Sequence, residues 1–437
     1  MYTHAFKALF LFVISLFIVA CGSTISVEDE KKLNNNYRAG NYLVSANIAE
    51  KNLGLYDDKK DKFKPVIPTN VDNALLHMNA AESLRLSGND ERAIQHFNVV
   101  DEVLFSEQNR ETISTSYEPT PGEKILTNFY KAISYWSMND DDNTRIEFNR
   151  ANERTRLAVN RYEKEIKEAQ EESKEKLDAS NALLKDQRIS GEINQWDVYD
   201  NFTNPAVAFL NSLFIASKDG SETEQARVLM ERVKEMSPAN TPTELYELPS
   251  KSQNVVWVLA ETGYGPKLVE KRVDIPFRWK GTNLLLQMAF PEMEYMDNAV
   301  SLNNYFIGDT SPKFYEISNM DKIAQTELKK RWPGIVASQV AMAIAKAYIQ
   351  YEADKKGEGA SLVALLLTSA ATSAETTSWG MTPKSCQVTK LNNMHGKNFT
   401  IRYGNNEKTL TIPTGASIIY VKQHSPQTEP LVKLLYL

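Results

Sequence analysis

The stretch ALLHMNAAESLRLSGNDERAIQHFNVV, residues 74–100, carries the clearest structural pattern in this 437-residue chain. Apolar residues recur at helical spacing on both sides of a Gly-Asn-Asp triplet that is typical of a turn. Small side chains at Ala81 and Ala93 allow two helices to approach closely, and Leu84 and Phe97 fill the space beside them. We therefore predict two packed helices joined by a tight turn.

Three weaker copies of the pattern flank this stretch. One surrounds a Gly-Asn-Tyr turn at 40–42, one covers 132–151, and one covers 209–238. The pattern resembles the tetratricopeptide repeat, whose period is about 34 residues, so insertions must separate these copies. The alternative is an unrelated helical bundle. Stacked helix pairs would cover each other's apolar faces and expose an extended concave surface.

Concave surfaces of this kind usually bind peptides or proteins. The candidate partner-binding residues are aromatic or large apolar side chains on the predicted helices, namely Tyr42, Leu84, Phe97, Tyr135 and Trp136. The alternative is that these side chains form the helical core, because aromatic residues at helical spacing are more often buried than exposed. The sequence leaves both interpretations open.

A long charged segment lies after the third copy. Residues 144–185 contain neither proline nor glycine, and 11 of the 16 residues from 163 to 178 are charged. Pairs such as Glu163 and Lys167 have the i,i+4 spacing that supports a helix. We predict one continuous helix with a narrow apolar seam, which is either solvated along most of its length or docks as an arm against a partner helix.

The character of the sequence changes near residue 245. β-branched and aromatic runs at 255–259, 272–277 and 284–290 indicate strands. The region 321–354 is predicted to be helical with an interruption at Pro333. The pattern from 387 onward predicts a β-meander that the last apolar run can close.

These patterns predict an α+β fold. A helical-repeat domain with tetratricopeptide-like pairs is expected at 21–245 and includes the charged helix at about 144–185. A mixed domain is expected at 246–437, with an antiparallel β-sheet, inserted helices and the C-terminal β-meander. Residues 1–20 are assigned to a signal peptide, for the reasons that follow.

The first 21 residues have the order of a secretory signal. Lys7 supplies a positive charge, residues 8–18 form an apolar run too short to span a bilayer comfortably, and the small Ala20 precedes Cys21. This order resembles a bacterial lipoprotein signal, which implies cleavage between Ala20 and Cys21 and lipidation of Cys21 with fatty acids such as palmitate. The alternative is an uncleaved membrane anchor with an incidental cysteine.

The residue after the cysteine bears on the destination. Gly22 occupies this position, and the absence of aspartate there resembles lipoproteins that are exported to the outer membrane. We therefore expect the protein at the periplasmic face of the outer membrane, in contact with the membrane through its lipid anchor. Several acyl chains would hold it stably, since one chain alone binds only marginally.

Composition argues against several other classes of function. The chain has 50 Lys and Arg against 56 Asp and Glu, a net charge of −6, and removal of residues 1–20 takes away only Lys7 and leaves −7. This balance does not favour a nucleic-acid partner. Cys386 is the one cysteine besides Cys21, so an intramolecular disulfide is not expected in the lipidated chain.

No sequence motif predicts a metal, a cofactor or a catalytic centre. His77 and His96 fall within one predicted helix pair and can approach each other, but histidines on helices are more often solvent-facing or capping residues. The loop at 261–266 has two glycines and lacks the Lys-Ser or Lys-Thr of a phosphate-binding loop, so we predict a structural turn. We expect a protein that is not an enzyme.

A wider resemblance covers nearly the whole chain. It rests on IEFNRA at 146–151, VLAETGYGP at 258–266 and AETTSW at 374–379, together with the N-terminal signal and the repeats. This combination resembles a family of bacterial envelope lipoproteins that contain tetratricopeptide-like repeats. Its members are often encoded near lipoproteins that resemble activators of penicillin-binding proteins, which implies a connection with the cell wall.

Two functions are compatible with these observations. The favoured hypothesis is a lipid-anchored periplasmic scaffold that binds envelope proteins through its helical repeats. The alternative is a module in 251–437 that binds peptidoglycan or another glycan, or modifies the cell wall. That module would use polar loops and the aromatic rings of Trp257, Trp279 and Trp379.

Overall fold

A computed structural model describes residues 25–57, 59–67, 73–105, 117, 119–170, 181–199, 204–249, 254–279, 282–296, 300–370, 373–374 and 376–437. The chain divides into two compact units, Met1–Pro119 and Thr120–Leu437. This division differs from the predicted domain boundary at 245, because the helices that follow Thr120 belong to the same unit as the later strands. The fold is mixed α and β, as predicted, and its sheets are largely antiparallel.

The first unit contains two helical hairpins. Helices α1 (Val27–Arg38) and α2 (Tyr42–Asn52) form one, α3 (Ala74–Leu86) and α4 (Asp90–Phe105) form the other, and strands β1 (Tyr56–Asp57) and β2 (Lys62–Phe63) pair between them. The two turns contain glycines with φ of 82° and 87°, a conformation that side chains disfavour. The predicted helix pairs are therefore present, whereas their assignment to the tetratricopeptide repeat is not confirmed.

Small side chains bring these helices together. Leu84 of α3 packs in one buried cluster with Ala46 of α2 and Ala93 of α4. The Ser45 hydroxyl on α2 donates to the Leu33 carbonyl of α1 at 3.1 Å. Short side chains at these positions allow close packing and still satisfy their own hydrogen bonds.

A buried polar cluster connects α2, α3 and α4. The Nδ1 atoms of His77 and His96 lie 2.9 Å apart, and the His96 Nε2 lies 3.0 Å from an oxygen of Glu50. That oxygen also accepts from the Nε of Arg92 at 2.5 Å. Because a carboxylate only accepts, His96 donates to Glu50 through Nε2, and in its neutral form the ring accepts at Nδ1 from the Nδ1–H of His77.

The two histidines differ from the sequence-based expectation. They do approach each other, but they are 1% and 0% exposed, so they are neither solvent-facing nor at a helix end that they cap. Burial, with a smaller contribution from the neighbouring His96, lowers the pKa of His77 to about 3. Burial also lowers the pKa of His96, although its hydrogen bond to Glu50 acts in the opposite direction.

Acid should destabilise the first unit through this pair. In the unfolded chain a histidine titrates near 6.5, so below that pH the unfolded state binds protons that the folded state excludes. The free energy of unfolding should therefore fall as the pH decreases from 6.5, by about 1.4 kcal/mol per pH unit per histidine, until each folded-state pKa is reached. Urea unfolding followed by helical circular dichroism between pH 7.5 and 4.5 measures this.

Two variants test whether His77 contributes to the loss of stability in acid. His77→Asn should reduce the slope by about one bound proton, because the unfolded chain then has one fewer group to titrate. His395→Asn is the matched control, since His395 is exposed. An unchanged slope in His77→Asn, or an equal change in both variants, would contradict the assignment.

The second unit begins with two more helical hairpins. Helices α5 (Pro121–Ser137) and α6 (Asp141–Gln170) pack together, α7 (Gln187–Gln195) follows, and α8 (Pro205–Asp219) packs with α9 (Glu224–Met236). The predicted charged helix thus starts at Asp141 and is helical to Gln170, and its predicted continuation enters residues 171–180, outside the described part of the chain.

The strands that the structure describes in the second unit form three sheets. Their bounds are β3 (Val255–Thr262), β4 (Lys267–Trp279), β5 (Thr282–Glu294), β6 (Tyr305–Ile307), β7 (Tyr315–Asn319), β8 (Ser385–Asn392), β9 (Asn398–Tyr403), β10 (Asn406–Thr411), β11 (Ser417–Gln423) and β12 (Leu431–Tyr436). A five-stranded sheet has the order β12-β11-β3-β8-β7, a three-stranded sheet has the order β10-β9-β6, and β4 and β5 form a long hairpin.

The predicted C-terminal β-meander is wrong. Strands β9 and β10 leave the five-stranded sheet and pair with β6, and β11 then returns to lie parallel to β3, with Ile419 opposite Val258. The last run does close the edge of the sheet, as β12 pairs antiparallel with β11. Both β3 and β11 are buried along their whole length. The sequence of a strand that is buried on both faces is mainly apolar, so it gives little indication of which strands pair with it.

The five-stranded sheet lies between a second sheet and a helix. Val256, Val258 and Ala260 of β3 share a buried core with residues of β6 and β9. On β11, Lys422 instead contacts Tyr130 of α5. Alternate residues of the central strands thus face opposite sides of the sheet, one set towards the three-stranded sheet and the other towards α5.

Helix α10 (Met320–Asp354) continues through Pro333, so the predicted interruption is wrong. A proline removes one backbone donor, and the loss is offset here because Trp332 and Val336 pack in the same core as Phe290 of β5. Helix α11 (Glu358–Ala370) follows and packs against α10.

Candidate functional site

The lipidation residues lie outside the described part of the chain. Ala20 and Cys21 precede the first described residue, Ile25. Among the described residues, no helix combines the length and the apolar character needed to cross a membrane. Cleavage and lipidation therefore remain predictions from the sequence.

The five candidate partner-binding residues lie mainly in the core. Tyr42, Leu84, Phe97 and Trp136 are between 0% and 6% exposed, and Tyr135 is half-buried. Trp136 of α5 has its ring centroid 5.1 Å from that of Phe214 on α8, and its indole N–H donates to the Tyr436 carbonyl of β12 at 3.0 Å. These side chains hold elements of the fold together, so in this structure they are not an open binding surface.

An open groove lies instead on the helical part of the second unit. It has a volume of about 390 Å³ and lies between the α5–α6 hairpin and the α8–α9 hairpin. The lining residues that the structure describes form an apolar floor and a polar rim, and they are Ile125, Asn152, Thr155, Arg156, Val159, Asn160, Asn204, Val207, Ala208, Leu229 and Arg232. We call this the hairpin groove.

The local sequence explains why these residues share one surface. The α6 residues of the groove are at positions 152, 155, 156, 159 and 160, which recur at the three- and four-residue intervals of one helix face. On α9, Leu229 and Arg232 are three residues apart for the same reason. Apolar periodicity in the sequence does not indicate this face, because its residues are mainly Asn, Thr and Arg.

The start of α8 forms one wall of the groove. Asn204 is 5% exposed and caps the helix, since its Oδ1 accepts from the Ala206 N–H at 3.0 Å. The same oxygen accepts from the Ser318 hydroxyl of β7 at 3.0 Å. The cap therefore fixes the helix start against the five-stranded sheet, and the wall of the groove is rigid.

One motif of the sequence resemblance, VLAETGYGP at 258–266, meets the segment that precedes β8, at the carboxyl ends of β3 and β11. The Gly265 N–H donates to the Thr382 carbonyl and the Lys384 N–H donates to the Thr262 carbonyl, both at 2.8 Å. A Cβ at Gly265 would lie 2.3 Å from the Thr382 hydroxyl, so the close approach of the two segments requires glycine. The predicted structural turn at 261–266 is consistent with this role in holding the two segments together.

Buried charges at this end of the sheet are paired with protein groups. The Lys422 ammonium donates to the Tyr130 hydroxyl at 2.8 Å and lies 3.8 Å from a Glu261 oxygen. The Tyr420 hydroxyl donates to the same Glu261 oxygen at 2.6 Å. These charged groups therefore join α5 to the sheet. Their role here is structural, although the same residue types often take part in catalysis.

The start of α5 is held by two carboxyl groups. Glu123 accepts from the Thr120 N–H at 2.7 Å and from the Trp379 N–H at 2.5 Å. Glu327 of α10 accepts from the Gly122 N–H. A cavity of about 50 Å³ lies beside these groups, which is space for roughly one water molecule.

Chemistry at the other candidate positions is limited. Within the described part of the chain, no group of three or more histidine, cysteine, aspartate or glutamate side chains is arranged to hold a metal ion. Burial raises the pKa of the Cys386 thiol, and the nearby charge of Glu261 adds to this effect. Trp257 and Trp379 are 0% and 1% exposed, and the side chain of Trp279 lies outside the described set.

Glu327 should make stability depend on pH in the opposite sense to the histidines. Burial raises its pKa to about 7, although the Gly122 N–H lowers it. Between the unfolded value near 4.3 and 7, the folded state therefore holds a proton that the unfolded state releases. The stability of the second unit should fall by roughly 3–4 kcal/mol as the pH rises through this range.

The Glu327→Gln variant removes the titration and keeps an oxygen that can accept from Gly122. The unfolding free energy of this variant, measured from tryptophan fluorescence in urea, should not show the decrease that Glu327 causes in the parent protein between pH 4.5 and 8. Glu407→Gln, at an exposed strand position, makes the same charge change and should follow the parent protein. If the stability of Glu327→Gln has the same pH profile as that of the parent protein, the Glu327 carboxyl group is not the cause of the pH dependence.

No protein-family model, no curated protein and no solved structure matches the chain. Evidence on its function therefore comes from the hairpin groove, the sheet end and the N-terminal sequence.

Proposed function

We propose that this protein is a lipid-anchored periplasmic scaffold that binds an envelope protein through its helical hairpins, in cell-wall or envelope assembly. The observation that carries the proposal is the hairpin groove, an open volume of about 390 Å³ lined by two successive helix pairs. This volume lies within the range of about 300–1,000 Å³ that is usual for binding pockets. The helix pairs are interpreted as tetratricopeptide-like, in line with the sequence resemblance.

The anchor gives the scaffold its location. We propose cleavage between Ala20 and Cys21, palmitate or a related fatty acid on Cys21, and residence at the periplasmic face of the outer membrane. Each buried methylene contributes about 0.8 kcal/mol, so several acyl chains confine the protein to one surface. A confined scaffold meets other envelope proteins at a higher effective concentration than a free one.

The alternative, glycan binding or cell-wall modification by 251–437, has less support. A carbohydrate platform needs an accessible aromatic face, whereas Trp257 and Trp379 are buried. The charged groups at the sheet end are bonded to other protein groups. We therefore favour the scaffold, and the proposal includes no catalytic residue, cofactor or metal.

Lipidation is tested at Cys21. Metabolic labelling with a palmitate analogue should mark the parent protein, and Cys21→Ser should lose the label and move from the membrane fraction to the soluble periplasmic fraction. Cys386→Ser is the matched control, because the Cys386 thiol is buried, and it should keep both label and location. An unlabelled parent, or an unchanged distribution of Cys21→Ser, would contradict the anchor.

Partner binding is tested by crosslinking in cells. A photoreactive residue at Thr155, in the groove, should form a discrete crosslink to an envelope protein. The same residue at Leu157, which is 37% exposed on the same helix and outside the groove, should not. Equal crosslinking at both positions, or none at Thr155, would argue against a binding groove.

A further inference from the structure

We propose that the hairpin groove binds a short acidic segment of the partner protein, with an apolar side chain of that segment seated on the groove floor. The inference rests on the proposed scaffold function and names the chemical class of the partner. It is argued from three features of the groove: the charge of its rim, the orientation of α8 and the composition of its floor.

The charged residues that the structure describes in the groove lining are both basic. They are Arg156 and Arg232, and the described lining includes neither aspartate nor glutamate. The whole chain, by contrast, has a net charge of −6. A cationic rim on an acidic protein attracts acidic segments and repels basic ones, so it gives the groove a preference of sign.

The two arginines are available to different degrees. Arg232 is exposed and forms no hydrogen bond or ion pair with any other residue that the structure describes. Arg156 is held by Glu153 of the same helix through two hydrogen bonds of 2.7 and 3.0 Å. That pair is exposed, and exposed pairs contribute little to stability, so a carboxylate of a ligand can compete for Arg156.

Arg232 stands apart from comparable residues. On the same helix, Arg227 lies 3.7 Å from a Glu224 oxygen, and Arg145 of α6 forms a bidentate pair with Asp219. A guanidinium group presents a planar fork of donors that matches a carboxylate. The unpaired fork at the groove rim is therefore the group we expect to bind first.

Helix α8 adds to the same preference. Its first turn supplies Asn204, Val207 and Ala208 to the lining, so the amino end of a 15-residue helix lies at the groove. Aligned peptide dipoles give this end a partial positive charge. The effect is a minor addition to the two arginines and has the same sign.

The floor specifies the rest of the ligand. Ile125, Val207, Ala208 and Leu229 are between 1% and 7% exposed and leave an apolar surface at the base of the groove. A volume of about 390 Å³ is small for a folded domain and suits a few residues of an extended or helical segment. Together, rim and floor fit a segment in which acidic residues flank a leucine or a similar side chain.

The test uses the full-length protein in detergent and two fluorescein-labelled peptides. In one peptide glutamates flank a pair of leucines, and in the other lysines replace the glutamates. Fluorescence anisotropy should show binding of the acidic peptide, weaker binding at high salt and no saturable binding of the basic peptide. Arg232→Glu should weaken binding of the acidic peptide about tenfold or more, because it replaces an attraction by a repulsion.

Arg227→Glu is the matched control. It makes the same charge change on the same helix, outside the groove, and should change the affinity by less than about twofold. Unchanged circular dichroism of both variants excludes a loss of folding. Equal weakening by both variants, or equal binding of the two peptides, would overturn the acidic assignment.

The crosslink at Thr155 separates this inference from the scaffold proposal. A crosslinked partner segment that is rich in aspartate and glutamate supports both. A crosslinked segment that is neutral or basic overturns the acidic class and leaves the scaffold in place. A crosslink only to another copy of this chain overturns the acidic-partner proposal and indicates self-association at the groove.

Discussion

The pairing of the polar groups on helix α5 is the constraint on which the second unit depends. Fifteen residues of this helix are buried, and they include Glu123, Asn128 and Lys131. A helix buried on nearly every side must satisfy such groups within the protein. The Lys131 ammonium lies 2.9 Å from a Glu147 oxygen, and Asn128 donates to the other oxygen at 2.7 Å.

Buried polar contacts of this kind join α5 to three other parts of the unit. Glu147 belongs to α6, the Trp379 N–H that meets Glu123 belongs to the segment before β8, and Lys422, which meets Tyr130, belongs to β11. Removing one partner of a buried pair leaves an uncompensated charge, at a cost of about 3–5 kcal/mol. The helix is therefore bound by specific pairings as well as by apolar contact.

This arrangement explains why the groove and the sheet end have different roles. At the sheet end the charged and polar groups face one another, so they stabilise the fold. At the hairpin groove the packed faces of α5 and α8 form the floor, while the outer face of α6 and the rim of α9 remain open. A floor of packed apolar side chains with arginines at an open rim is the arrangement that a binding surface requires.

Local sequence pattern determined the secondary structure well, and tertiary structure decided how it was used. The helix pair at 74–100, the strand at 255–259 and the approach of His77 to His96 were predictable, because each depends on residues close together in the chain or on one periodic face. The parallel pairing of β11 with β3, the hydrogen bond from Trp136 to the Tyr436 carbonyl of β12 and the groove lined by Arg156 and Arg232 were not. These features depend on which elements that are distant in the chain come into contact. The periodicity of a sequence indicates whether a face is apolar or polar, but it does not indicate which element packs against that face.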